Sequence, residues 1–378
     1  MKKNNILLRR SGKSSKNSKA SSKVERSKAE QWTIGMDQGD KTSRFCVLGE
    51  DGEVKTEGSV ATTRKAMTKV FAGMAKCRIA IEVGTHSPWL SRLLQSLGHE
   101  VVVANPRQVQ LISASSRKND RVDAQTLARL ARIDPELLRP IRHRSEKAQA
   151  DLMVIRVRAG LVEARTALVN SARGLVKAMG ERLPKCDSDS LGVEQLAALP
   201  AGLKTTIAPM IEAVAELTEK IHDSDQRIEQ IARDNYPETT LLQQVWGVGS
   251  LIALTFVLTV EDAERFQRSR DVGCYVGLRP KQSDSGERQP QLRITKEGDV
   301  YLRKLLVQGA HCLLRQNGPD TDLQRFGRKL SARGGKNAKK RAVVAVARKL
   351  AVLLHRLWVT GEVYEPLRNN PAARTQAA

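Results

Sequence analysis

Four carboxylates in this chain fall where a hard divalent cation could be held: Asp37, Glu82, Asp120 and Asp123. Asp37 stands at the end of the apolar run that starts at Trp32, and Glu82 stands near the end of the run Arg78 to Val83. Asp120 and Asp123 are three apart at the start of a helical stretch, so they share a helix face. Carboxylates brought together repel unless a cation sits between them, and an all-oxygen donor set favours Mg²⁺ or Mn²⁺. In phosphodiester chemistry such an ion polarises a phosphoryl oxygen and steadies the attacking and leaving oxygens. Taken singly, each acid is more often a helix cap, a turn residue or a surface charge. Their joint placement, from three segments at one sheet edge, is what points to chemistry. Asp40, Asp51 and Asp134 lack that placement.

A second group of candidates lies in the loop Pro280 to Gln291, which contains Ser283 and Ser285, with Arg279, Lys281, Arg288, Arg293 and Lys296 in or beside it. A loop serine is ordinarily just solvated. A hydroxyl on a glycine-containing loop flanked by cations is also the form a phosphoryl-attacking nucleophile takes. Residue chemistry alone does not choose between these, nor between the two serines. Gly247-Val248-Gly249, between two apolar helical segments, resembles the turn of a helix-hairpin-helix module, whose glycines let backbone N–H groups approach a phosphate. It reads equally well as a tight helix connection.

The elements that must position these residues are legible in the hydrophobic periodicity. Short runs at Trp32–Met36, Arg44–Leu48 and Val54–Ala61, the last two joined by Glu50-Asp51-Gly52, predict an antiparallel meander. A helix follows over Thr63–Ala75, with Ala66, Val70, Phe71 and Met74 on one face, then a strand over Arg78–Val83. A helix over Ser87–Leu97 ended by Gly98, a strand over Glu100–Ala104 and a helix over Arg107–Ala114 complete the domain. The order β-β-β-α-β-α-β-α is that of an RNase H-like α/β domain, over residues 31–144. Residues 145–240 predict two long helices packed as a hairpin or coiled coil, broken around Pro184 to Leu203. Residues 241–320 predict a mainly helical C-terminal domain carrying the Gly-Val-Gly element and the serine loop, with a helix over Tyr301–Leu314. Over residues 321–378, a basic loop at Arg325–Lys340 is expected to feed an apolar helix, Ala342–Trp358.

Composition narrows the partners. Lys and Arg number 64 against 41 acidic residues in a chain of 378, a net charge of +23. That excess favours a polyanion, and no apolar run approaches the ~20 residues a membrane span needs. Aromatic residues make up only 3%, too few for a base-stacking platform like those that grip single strands, so phosphates, shape or a second nucleic acid should carry recognition. The five cysteines form no C-x-x-C pair and read as thiols of a reducing cytoplasm. Residues 1–30 are basic with almost no apolar period, which predicts a disordered tail.

Several motifs in order give the chain a resemblance to a known family. They are Ile34-Gly35-Met36-Asp37, Ile81-Glu82-Val83-Gly84, Lys118-Asn119-Asp120-Arg121-Val122-Asp123-Ala124, Gly247-Val248-Gly249 and Tyr275-Val276-Gly277-Leu278-Arg279-Pro280. Ser285-Gly286 and Arg293-Ile294-Thr295-Lys296-Glu297-Gly298-Asp299, followed by Leu302-Arg303, complete the set. Over roughly Trp32 to Leu314 the chain resembles the DEDD transposases of the insertion-sequence "one-ten" family, recombinases guided by a bridge RNA. The resemblance implies a RuvC-like N-terminal domain whose four metal-binding acids match Asp37, Glu82, Asp120 and Asp123. It also implies a C-terminal transposase domain whose nucleophilic serine matches Ser285, donor and target DNA as substrates, a structured non-coding guide RNA, and a homo-oligomer, dimer or tetramer. The expected location is the bacterial or archaeal cytoplasm, at the nucleoid. Where the family follows its first acid with a Ser-Lys-like pair, Gln38-Gly39-Asp40-Lys41 stands here. Two other readings compete: a RuvC-like junction nuclease that uses water and is indifferent to Ser285, and a basic nucleic-acid-packaging protein to which neither acids nor serine matter.

Overall fold

The computed structural model describes residues 32–105, 120–286, 288, 290 and 292–369. The tail expected over residues 1–30 and the helix expected over Arg107–Ala114 lie outside the described residues. The chain divides into two compact units, residues 1–143 and 144–378.

The first unit is built on a mixed five-stranded sheet in the order β3-β2-β1-β4-β5. The strands are β1 (Thr33–Asp37), β2 (Thr42–Leu48), β3 (Val54–Ala61), β4 (Arg78–Glu82) and β5 (Glu100–Ala104). The first three form the expected antiparallel meander, while β4 runs parallel to β1 and β5 parallel to β4. Helices α1 (Arg64–Phe71) and α2 (Ser87–Ser96) cover one face, and α3 (Asp120–Ile133) covers the other. This arrangement fits an RNase H-like domain. Helix α1 is shorter than its periodicity suggests, capped by the Thr63 hydroxyl, and its deepest residues are Met67 and Phe71.

Alternation along the strands assigns the two faces. Ile34 and Met36 of β1 and Ile79 and Ile81 of β4 are fully buried in a core with Phe71 and Leu90. The intervening residues, Gly35 and Ala80, are small because α3 lies directly against them. A Cβ on Gly35 would stand 2.0 Å from the Ala124 carbonyl oxygen and 2.4 Å from the Ala128 nitrogen. Helix α3 meets the sheet with Ala124, Ala128 and Ala131, all buried, so backbone approaches backbone with no side chain between.

In the second unit, α4 (Glu146–Ala178) and α5 (Ala201–Asn235) form the expected long hairpin, interrupted around residues 184–200 by short 3₁₀ turns. Arg165 of α4, buried in the hairpin, is held by Asp189 and by the Thr218 hydroxyl at 3.1 Å. The hairpin is rooted through Leu152, Ile155, Ile228 and Ala232 onto Leu254 and Leu258 of α7 (Ser250–Val260). Around α7 pack the short α6 (Glu238–Leu242) and α8 (Val272–Tyr275), then α9 (Val300–Leu313), α10 (Asp322–Ser331) and α11 (Ala338–Thr360).

Helix α10 corrects one expectation. Arg325 to Ser331 belongs to a helix, not to a basic loop running to Lys340. The Thr321 hydroxyl caps it, Leu323 and Gly327 are buried, and a Cβ on Gly327 would press to 2.4 Å from Leu314 Cδ2. Gly327 is therefore a contact point between helices, whereas the true turn is made by Gly334 and Gly335, both at positive φ. Helix α11 likewise begins four residues before the expected Ala342.

Candidate functional site

Asp37 and Glu82 are the last residues of adjacent parallel strands, one step beyond the paired Met36 and Ile81. Neighbouring strands lie about 4.8 Å apart. Two residues after Gly35 and Ala80, both acids belong to the sheet face that α3 covers. The direction of α3 follows from two contacts: Arg78, at the start of β4, donates to the Ala131 carbonyl at 3.1 Å, and mid-strand Gly35 abuts Ala124. The helix thus runs antiparallel to β1 and β4, and its first turn, with Asp120 and Asp123, lies at the strand ends that carry Asp37 and Glu82. The Gln38 amide donates to the Glu82 carbonyl at 2.9 Å and ties the two strand ends together.

Asp37, Glu82 and Asp123 are each half-buried; the Asp120 side chain lies outside the described residues. Among the described residues no three His, Cys, Asp or Glu side chains come close enough to hold a metal ion, so the three described acids share an edge without forming a ligand cage. The donors at this edge are hard carboxylate oxygens, which suit a Mg²⁺-like cation. Cys46, on β2 beside Gly35, is buried, and burial, helped by Glu57, pushes its thiol above the ordinary value. It stays a neutral thiol and offers no soft thiolate. Arg121 at the same end pairs with Glu57 of β3 at 2.7 Å.

Ser285 lies at the far end of a two-stranded ribbon. Its base is hydrogen-bonded from Lys296 N–H to the Gly277 carbonyl (3.1 Å), from Thr295 N–H to the Arg279 carbonyl (2.8 Å) and from Lys281 N–H to the Arg293 carbonyl (2.9 Å). At the tip, Ser285 and Arg288 exchange both backbone bonds, at 3.2 and 3.0 Å, around Gly286 at φ +55°. This is the pattern of a two-residue hairpin turn, for which glycine at positive φ is suited. No heavy atom lies within 4 Å of a Cβ built on Gly286, and neither Ser283 nor Ser285 makes a side-chain hydrogen bond with a described residue. Arg279, Lys281, Arg288, Arg293 and Lys296 are all exposed along the ribbon.

The base of the ribbon is as rigid as its tip is open. Gly298, at φ +70°, lies so close to the end of α8 that a Cβ would fall 1.9 Å from the Tyr275 carbonyl oxygen; at Gly277, φ +69°, it would fall 2.2 Å from the Glu297 carbonyl oxygen. Arg303 of α9, only 8% exposed, donates to the carbonyls of Val276 (2.9 Å), just before the ribbon, and Glu297 (2.6 Å), just after it. Burial pulls its guanidinium below the ordinary value and Asp299 opposes that pull. Asp299 caps α9 by accepting from Leu302 N–H at 2.8 Å and pairs with Arg156 of α4. Leu302-Arg303 stands out in the sequence only as part of a motif; a lone arginine inside an apolar helix face is the signal that it is a buried fastener.

The Gly-Val-Gly element divides its labour. Gly247, at φ +81°, packs against α9, where a Cβ would meet Cys312 and the Gly309 carbonyl at about 3 Å, so this glycine serves a close approach of backbone to helix. Gly249 is exposed, opens α7 and has open space around it.

A five-stranded sheet with strand-end acids, joined in one chain to a helical unit bearing an exposed cationic ribbon, is the organisation of a transposase, and the comparisons with known proteins agree. Residues 34–180 match a transposase model for a DEDD domain, and residues 239–324 match the model described as "Transposase IS116/IS110/IS902 family". The chain is 30% identical over 344 residues to the transposase for insertion sequence element IS1111A of Coxiella burnetii, covering 88% of this chain and 90% of that one. It is 30% identical over 343 residues to a probable family 20 transposase of Pseudomonas aeruginosa, covering 88% and 98%. A transposase for insertion sequence element IS1328 of Yersinia enterocolitica is 26% identical over 264 residues. The chain belongs to the IS110 family of DEDD transposases, enzymes that cleave and recombine DNA. Among the described residues no helix is long and apolar enough to cross a membrane.

Proposed function

We propose that this transposase moves an insertion sequence by breaking DNA with Ser285 and holding the broken end as a phosphoserine ester. The observation that carries the reading is the ribbon: a hydroxyl at an open tip, free of side-chain hydrogen bonds to described residues, on an exposed cationic strand pair clamped at its base by Arg303. In the first step a bond forms between Ser285 Oγ and phosphorus as the phosphorus–oxygen bond to the leaving nucleotide breaks. The serine proton leaves Oγ and the departing oxygen is protonated. An incoming DNA hydroxyl reverses the step on another end, so bond energy is conserved and no external energy source is needed.

Asp37, Glu82, Asp120 and Asp123 are the residues that would hold Mg²⁺ or Mn²⁺, and the ion, when bound, supplies charge neutralisation at the phosphoryl oxygens. The exposed cations of the ribbon, and the backbone N–H groups at Gly249, would hold phosphates and orient the strand. Sequence choice is assigned to base pairing with a structured guide RNA, since the cations contact phosphate and the chain has few aromatics to read bases. The protein would act in the cytoplasm as a homo-oligomer on donor and target DNA. A gel assay for covalent adducts tests the reading: Ser283→Ala protein should trap a protein–DNA adduct on cognate DNA and RNA, and Ser285→Ala protein should bind both yet trap none. Normal cleavage with free ends by Ser285→Ala would make water the nucleophile and the protein a RuvC-like junction nuclease.

A further inference from the structure

The hairpin of the second unit is joined to the serine ribbon through the first turn of α9. Asp299 opens that turn and uses both carboxylate oxygens: Oδ1 accepts from Leu302 N–H at 2.8 Å, and Oδ2 takes the Arg156 guanidinium of α4 at 2.5 Å. The Asp299 carbonyl accepts from Arg303 N–H at 3.2 Å, the first backbone bond of the helix. Arg303 is the residue whose guanidinium grips the carbonyls at either end of the ribbon. Arg156 also lies 5.0 Å from the ring centre of Tyr301, in the same turn. That ring is itself fixed, because Tyr301 hydrogen-bonds with Arg158, and Arg158 is held by both carboxylate oxygens of Asp225 on α5, at 2.8 and 3.1 Å. One arginine of the hairpin therefore touches both the cap and the aromatic ring of the turn from which the ribbon is clamped.

We infer that Arg156 is a positioning residue for the serine ribbon, acting through the Asp299 carboxylate. The arginine is 41% exposed and the aspartate 12%, so their pair adds little to the stability of the unit. Its effect is on position. A carboxylate tied at both oxygens does not swing away from its cap, and without the cap the first turn frays, since its N–H groups have no other partner within the helix. Fraying there moves Arg303 and with it the base of the ribbon. A displacement of about 1 Å costs a reaction up to roughly a hundredfold, far more than it costs the fold. A second tie between the same helices, Lys304 to Glu163 at 3.7 Å, is exposed on both sides and lies beyond the capping turn, so it provides the comparison. The inference rests on Ser285 as nucleophile for its effect on cleavage; its effect on the order of the ribbon does not.

The test uses full-length protein and reads hydrogen exchange at the ribbon base, where the Lys281, Thr295 and Lys296 amides are bonded from strand to strand. Arg156→Met and Asp299→Asn, the latter keeping a good N-cap side chain, should each speed that exchange on the order of tenfold, with melting temperature near the parent's. The double variant should be no faster than either single one, because both break one link. Arg156→Lys should recover most of the protection, and Glu163→Gln should behave as the parent. In single-turnover cleavage of cognate DNA with RNA, Arg156→Met should lose about tenfold in rate at an unchanged half-saturating DNA concentration. Parental exchange in Arg156→Met, additive effects in the double variant, or protection lost evenly across the second unit would overturn the inference. Faster exchange confined to the ribbon, with the nucleotide found on a residue other than Ser285, would remove the nucleophile and leave the positioning role standing.

Discussion

The acid edge and the serine ribbon are built by opposite means. At the acid edge, position follows from regular structure: strand register sets Asp37 beside Glu82, and a face of small residues lets α3 lie on the sheet. At the ribbon, backbone outside helix and sheet is held by positive-φ glycines and one buried guanidinium. The first site is rigid because its scaffold is the core of a unit. The second is a stiff base with an open tip, the form expected where a hydroxyl must be presented to a large, charged substrate.

The largest effects should come from the acids. Asp37→Asn, Glu82→Gln and Asp123→Asn should each abolish recombination, by roughly 10³-fold or more, while thermal melting and RNA binding stay close to the parent. Full activity of purified Asp123→Asn protein in Mg²⁺ would remove Asp123 from the site. By contrast Gly35→Val should strike the scaffold. Its side chain has nowhere to go against Ala124 and Ala128, so soluble yield of the first unit should collapse, an overpacking cost of at least about 3 kcal/mol.

The ribbon should respond in a graded way. Arg303→Met leaves the buried Val276 carbonyl without its donor, about 1–3 kcal/mol, frees the part-buried Glu297 carbonyl, and should loosen the ribbon without unfolding the unit. Limited proteolysis within residues 280–292 should accelerate and cleavage should fall by roughly a hundredfold, equivalent to about 2.7 kcal/mol, with guide-RNA binding retained. Gly298→Ala and Gly286→Ala sharpen the point. Both residues have positive φ, but only Gly298 meets backbone within 2 Å. Gly286→Ala should cost only the left-handed strain of about 1–2 kcal/mol, and Gly298→Ala should mimic Arg303→Met. Equal effects would show that the base is not the clamp.

The smallest effect concerns pH. His355, buried between the Ser269 hydroxyl and the Ala263 carbonyl, is pushed by burial below its ordinary value of 6.5. The folded protein therefore favours the neutral ring. That contribution is present above about pH 6.5 and is lost as pH falls below it, because the unfolded chain takes up the proton first. Melting of the second unit should drop modestly between about pH 7 and pH 5, and His355→Gln should flatten that part of the profile.

Much of the acid edge was legible in the sequence because periodicity carries it. The meander, the parallel strands ending at or beside Asp37 and Glu82, and the helix opening at Asp120 all follow from apolar spacing. What periodicity could not convey was the close approach of α3, since an alanine face looks like ordinary helix until Gly35 and Ala80 are seen beneath it. The ribbon was legible only as a polar loop. Its order rests on bonds between residues about ten to twenty apart and on Arg303, whose charge reads as surface until its burial is known. Glycine misled at α10, where Gly327 reads as a loop signal and is a helix contact.

The most direct test of the proposed chemistry is to quench a cleavage reaction on cognate DNA and RNA, digest protein and DNA, and map by mass spectrometry which peptide carries a nucleotide. The account predicts a nucleotidyl phosphate on Ser285, absent when the acids are replaced. A nucleotide on any other residue, or free phosphate ends with unmodified Ser285 throughout turnover, would contradict it.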